Sequence, residues 1–81
     1  AIEERGLIIT PEARLNQEIG NKIRTLRKKK NLTLKKLANR TGLSVSLISQ
    51  IELAKTSASV STLYKIASAL GIKIGYFFSD I

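Results

Sequence analysis

Apolar residues recur along this chain at helical rather than strand spacing. Leu15, Ile19, Ile23 and Leu26 are separated by 4, 4 and 3 positions, which places them on one helix face. Ahead of them, Thr10-Pro11-Glu12 reads as an N-cap, a proline at the first helical position and an acid in the first turn. Lys28-Lys29-Lys30 closes the helix, where cations favour the negative end of the dipole. Gly20 costs this helix about 1 kcal/mol relative to Ala, a cost that a close approach by another helix would explain. A second helix is predicted from about Leu34 to Thr41. Thr33 caps it, Leu34, Leu37, Ala38 and Thr41 share a face, and Gly42 ends it in the left-handed conformation. Ser44 caps a third helix that runs to about Glu52 or Leu53, with Leu47, Ile48 and Ile51 facing inward. After a small, polar connection, Leu63, Ile66, Ala67 and Leu70 mark a fourth helix, roughly Ser61 to Leu70, stopped by Gly71. Ile74 to Phe78 suits a short fifth helix. No alternating β-branched run, internal repeat or low-complexity linker is present. The expectation is an all-α fold of five short helices. Residues 1–11 form a flexible N-terminal arm, and residues 12–81 form one domain whose central motif spans 33–53.

Composition narrows the chemistry. The 81 residues hold 14 Lys and Arg against 6 Asp and Glu, and neither Cys nor His. A chain of this length buries only about 60% of its unfolded surface and makes one small domain. Without Cys there is no thiolate nucleophile or zinc–thiolate site, and without His the commonest general base and metal ligand are missing. Four of the six acids precede residue 19, leaving Glu52 and Asp80, so paired catalytic carboxylates are not expected. An enzyme is disfavoured, and no metal or cofactor is expected. The absence of Met means that the initiator is removed or that the chain is a piece of a longer one. No apolar run is long enough to span a bilayer. The first residues are too charged for a secretory signal, and a cytoplasmic, nucleoid-associated location is expected.

Charge is concentrated. Nine of the fourteen cations lie in residues 21–40, where there is no acid. This points to a polyanionic partner. Anionic lipid is the weaker choice, because the Leu15–Leu26 stripe is required by the core and leaves no apolar face for a membrane. The same run is also what a solvated helix end looks like. No aromatic interleaves with it, which argues against a stacking reader of single strands.

The second and third helices, joined by a short turn at Gly42, have the form of a helix-turn-helix. Ala38 is small enough for the two helices to cross closely, and Leu37, Leu43, Ile48 and Ile51 form the interior set. Several separated stretches keep one spacing: Ile19-Gly20-Asn21-Lys22-Ile23-Arg24-Thr25-Leu26-Arg27, Leu32-Thr33-Leu34-Lys35-Lys36-Leu37-Ala38, Thr41-Gly42-Leu43-Ser44, Ile48-Ser49-Gln50-Ile51-Glu52, and Thr62 to Ile72. Over about residues 19–78 the chain resembles the lambda-repressor-like, Xre-type DNA-binding domain. The resemblance implies a compact five-helix bundle and a bacterial or phage transcription regulator, a repressor for example, that binds operators as a homodimer. It also implies a partly buried, structural ion pair between Arg27 and Glu52. Ser49-Gln50-Ile51-Glu52 and Gly75-Tyr76-Phe77-Phe78 are similar to regulators that carry a cupin sensor domain C-terminal to this one, which would then be missing here. The restriction–modification controller proteins, of about this length, are a second candidate. An antitoxin-like protein-interaction module is a third.

In a helix-turn-helix the second helix lies in the major groove and reads base edges from its N-terminal part. Here that assigns base contact to Val45, Ser46, Ser49 and Gln50, with Gln50 suited to a bidentate pair on adenine and Val45 to a thymine methyl. Thr33, Lys35, Lys36, Lys55 and Ser57 are assigned to phosphates, alongside Thr56 and Ser59 in the same connection. The expected partner is double-stranded DNA carrying a pseudo-palindromic operator. Where this family often has Gly, the chain has Ala54, and where it often has Pro, Ala58. Ala tolerates a left-handed backbone poorly, so the connection after the third helix is open to another path, which bears on Lys55 and Ser57. Apolar Leu34 and Val45 stand where polar residues are usual and point to methyl contacts or fewer base contacts. Leu53 reads as a packing or dimer residue, and Tyr64, Tyr76, Phe77 and Phe78 as core or dimer contacts.

Overall fold

The computed structural model describes residues 10–79. They form four α-helices, α1 (Pro11–Lys29), α2 (Leu34–Thr41), α3 (Val45–Glu52) and α4 (Val60–Leu70), then a 3-10 helix, Ile74–Phe78. No strand occurs among the described residues. Residues 1–9 of the expected arm lie outside the described residues, while Thr10 and Pro11 are the N-cap and first residue of α1.

Each α-helix starts on a hydroxyl. Thr10 Oγ1 accepts from the Ala13 N–H, Thr33 Oγ1 from Lys36, Ser44 Oγ from Leu47 and Ser59 Oγ from Thr62, all at 3.0–3.1 Å. These bonds satisfy donors that a helix cannot pair internally. The cap at Ser59 starts α4 one residue earlier than the apolar spacing suggests. Gly42 and Gly71, at φ 76° and 72°, end α2 and α4 in the left-handed region, as expected of both.

The core draws on every element. Ile19 and Ile23 of α1, Leu37 of α2, Ile48 and Ile51 of α3, and Leu63, Ile66 and Leu70 of α4 are buried together. Phe77 is fully buried beneath α1 and α4. Leu32, in the connection between α1 and α2, joins them although it belongs to no stripe. Leu15 departs from expectation and is 39% exposed. The first two turns of α1 hold no buried residue, because the other elements pack only on its later part.

The expected fifth helix is corrected to a single 3-10 segment. Its bonds run from Tyr76 N–H to Lys73 O and from Ser79 N–H to Tyr76 O, the i to i+3 pattern. Five residues that include Gly75 make too short and too weak a propagating helix. Lys22 also donates its Nζ to the carbonyls of Tyr76 (3.2 Å) and Ser79. The same ammonium stands 5.4 Å from the centre of the Tyr76 ring, a cation–π contact. Lys22 thus straps the C-terminal segment to α1.

Candidate nucleic-acid interface

α2 and α3 pack directly on each other, and the turn at Gly42 orients them. Within α3, Ile48, Ile51 and Glu52 are buried and Leu47 is half-buried. Val45, Ser46 and Gln50 are exposed, and Ser49 is half-buried. Ser46 and Gln50 stand four residues apart on one outward row, with Val45 and Ser49 on the next. The four residues expected to read bases therefore share one side of α3, Ser49 being the least accessible.

The residues expected at phosphates cluster at two places. Thr33, Lys35 and Lys36 are exposed in the first turn of α2. The Thr33 oxygen is committed to the Lys36 N–H at 3.0 Å, so its hydroxyl hydrogen, with the N–H groups of Leu34 and Lys35, remains to donate. Lys55 and Ser57 are exposed in the connection that leaves α3. Its path is not the altered one that Ala54 suggested. Ala54 takes the left-handed conformation at φ 58°. Its N–H donates to Ile51 O at 3.1 Å, and the Lys55 N–H donates to Gln50 O at 2.8 Å. The helix end closes as it would with glycine there, because these two bonds and the adjoining packing hold the strained residue.

Arg27 and Glu52 meet as expected. Arg27 Nε and Nη2 donate to the two Glu52 carboxylate oxygens at 2.7 and 3.0 Å, and Nη1 donates to Leu32 O at 2.9 Å. Glu52 is 7% exposed, the single buried charged residue among those described. Its hydrogen bond holds the Arg27 guanidinium charged beyond its ordinary range, against the opposing effect of burial. The pair fixes the end of α3 to α1 and to the start of α2. Gly20 completes the junction. A Cβ there would stand 2.6 Å from the carbonyl oxygens of both Ile51 and Glu52.

Two features were not legible in the spacing. Lys22 and Arg27 are counted in the basic window, yet both direct their charge inward. Of the aromatics, only Phe77 enters the core. Tyr64 is 64% exposed, Tyr76 and Phe78 are also exposed, and Val60 is 71% exposed one turn before Tyr64 on α4. Leu53, at the C-cap of α3, is also exposed rather than packed within the chain. Val60 and Tyr64 lie off the buried stripe of α4, which was the available signal. No helix among the described residues is long and apolar enough to cross a membrane.

Known proteins share this arrangement. Residues 23–77 match the helix-turn-helix family HTH_3. An uncharacterised transcriptional regulator in the ATPase CF(0) region of Rhodospirillum rubrum is 37% identical over 67 residues, 83% of this chain and 62% of that protein. The immunity repressor protein of Bacillus phage phi105 is 39% identical over 69% of this chain and 39% of its own length. The chain thus spans between about two-fifths and three-fifths of these two relatives. Among solved structures, an HTH_3 family transcriptional regulator from Vibrio cholerae superposes with a TM-score of 0.78 at 36% identity, over 83% of this chain and 38% of that one. The restriction-modification controller protein C.AhdI from Aeromonas hydrophila gives 0.75 at 30% identity, over 78% of this chain and 96% of that one. With the family match covering well over half of the chain, and with the capped helix pair, glycine turn and buried ion pair in place, this chain belongs to the Xre-type, HTH_3 family of helix-turn-helix domains.

Proposed function

We propose that this chain is the DNA-binding domain of a sequence-specific transcriptional regulator that reads a pseudo-palindromic operator as a homodimer. The observation that carries the reading is the outward side of α3, uncharged and with Val45, Ser46 and Gln50 exposed, beside the cationic first turn of α2. Val45, Ser46, Ser49 and Gln50 take the base edges in the major groove, and Thr33, Lys35, Lys36, Lys55 and Ser57 take the phosphates. Phosphate contacts set register and supply attraction; the neutral helix supplies discrimination. The exposed apolar residues Val60, Tyr64, Tyr76 and Phe78 are surface available to a second copy.

Selection of bound duplexes from a random pool tests this. A two-fold symmetric site with half-site centres about 10 base pairs apart is the expected outcome. A pool that never enriches, at low salt as well as at physiological salt, overturns the reading. The controller role is a second reading, favoured by the near-complete overlap with C.AhdI, 96% of whose chain is matched. Occupied genomic sites adjoining restriction–modification genes would support it, and sites elsewhere would exclude it.

A further inference from the structure

A cleft of about 290 Å³ separates α1 from the end of α3, lined by Gln17, Asn21 and Arg24 on one side and by Glu52, Leu53 and Ala54 on the other. Gln17, Asn21 and Arg24 follow one another at helical spacing on α1, and all three are exposed. The cleft is rigidly framed, since the Gly20 contact brings α1 against the last carbonyls of α3 and the Arg27–Glu52 pair holds them there.

Three cations lie between residues 22 and 27 of α1, and two have internal work. Lys22 donates to the carbonyls of Tyr76 and Ser79, and Arg27 neutralises Glu52. Arg24 has no hydrogen-bonding or ion-pair partner among the described residues. With Glu52 already compensated, the charge of Arg24 is in excess at the cleft. It also lies across the cleft from the C-terminal end of α3, which carries negative partial charge.

From this we infer that the cleft is a phosphate site, in which Arg24, assisted by the amides of Asn21 and Gln17, holds a backbone phosphate of the DNA beside the C-terminal end of the recognition helix. The inference rests on the DNA-binding reading. It adds α1 to the elements that touch the duplex and gives the end of α3 its own anchor. A guanidinium with two neighbouring amides suits a tetrahedral oxyanion, and a phosphate contact positions the protein without reading sequence.

The test is the salt dependence of binding to a short duplex carrying the selected site, for the unmodified chain, Arg24→Gln, Arg24→Lys and Lys73→Gln. Lys73 is exposed and precedes the 3-10 helix, which packs on α1 and α4 rather than on α3. Arg24→Gln is expected to lower the slope of log K against log salt by about 0.9 per bound protomer. It should weaken binding alike on the selected site and its single-base variants. Arg24→Lys should keep the slope, and Lys73→Gln should leave it unchanged. An unchanged slope in Arg24→Gln, or an equal drop in Lys73→Gln, overturns the site. A changed sequence preference in Arg24→Gln overturns its assignment to phosphate. An unmodified chain that binds no duplex overturns the reading beneath it instead. Thermal melting of each variant separates lost contact from lost fold.

Discussion

The carbonyl oxygens of Ile51 and Glu52 lie 2.6 Å from where a Cβ on Gly20 would stand. In an isolated helix Gly→Ala stabilises by about 1 kcal/mol. Here the new methyl meets backbone, which cannot rotate away, so Gly20→Ala is expected to destabilise by about 1–3 kcal/mol, as overpacking does. Urea denaturation reads the sign directly. Ala54 is the converse case. It occupies φ 58° with a side chain that disfavours it, and the left-handed region costs an L-residue about 1–2 kcal/mol. Ala54→Gly is therefore expected to raise the melting temperature by roughly 4–8 °C for each kcal/mol gained. Arg27→Met would leave the Glu52 carboxylate buried and unpaired, a loss of about 3–5 kcal/mol, whereas Arg27→Met with Glu52→Leu should recover most of it. Chemical denaturation of the two variants decides between them. The raised Arg27 affinity for its proton carries its own sign. A base held charged in the fold contributes stability below its unfolded pKa and loses it as pH rises through the folded one. This group's contribution should accordingly be flat across the neutral range and fall only in strong alkali.

At the scale of elements, the helix boundaries follow from capping chemistry and lie close to the periodicity. α2 and α3 begin after Thr33 and Ser44 and share the turn at Gly42. These signals are local, within three or four residues, which is why they are readable along the chain. The place of the 3-10 helix, Ile74–Phe78, was readable in the same way, but its 3-10 bonding and its tie to Lys22, fifty-four residues before Tyr76, were not. The recognition role proposed for α3 makes a prediction at this scale. Gln50 is exposed one turn after Ser46, and Gln50→Ala should cost about 1–3 kcal/mol at one base position of the selected site. It should leave the salt slope unchanged, because no phosphate contact is lost. Competition binding with single-base variants of the site reads that loss position by position.

For the whole molecule, the net charge of +8 is best described by where it is free to act. Lys22 and Arg27 spend theirs on carbonyls and on Glu52. The α2 cations Lys35 and Lys36, with Lys55 after α3, remain exposed around α3. A dimer engaging such groups on both half-sites should lose about 10³- to 10⁵-fold in affinity between 50 and 200 mM salt. Fluorescence anisotropy across that range measures it, and a loss below tenfold would be at odds with phosphate-led binding.

By itself the sequence determined the helical class, the order of α1 to α4, the caps of α1 to α3, the glycine stops, most of the core and the residues on the outer side of α3. All of these are functions of short-range spacing, since a 3.6-residue repeat sorts faces and a hydroxyl three residues ahead of an N–H caps it. Arg27 and Glu52, twenty-five residues apart, were paired only by resemblance to a family. Only the tertiary structure decided that Leu15 is left outside, that Ala54 is forced left-handed, that Lys22 straps the chain's end and that Arg24 faces an open cleft. Those outcomes depend on where one helix crosses another. That crossing is set by the Gly20 contact and the buried ion pair acting together, and no periodicity within a single helix encodes it.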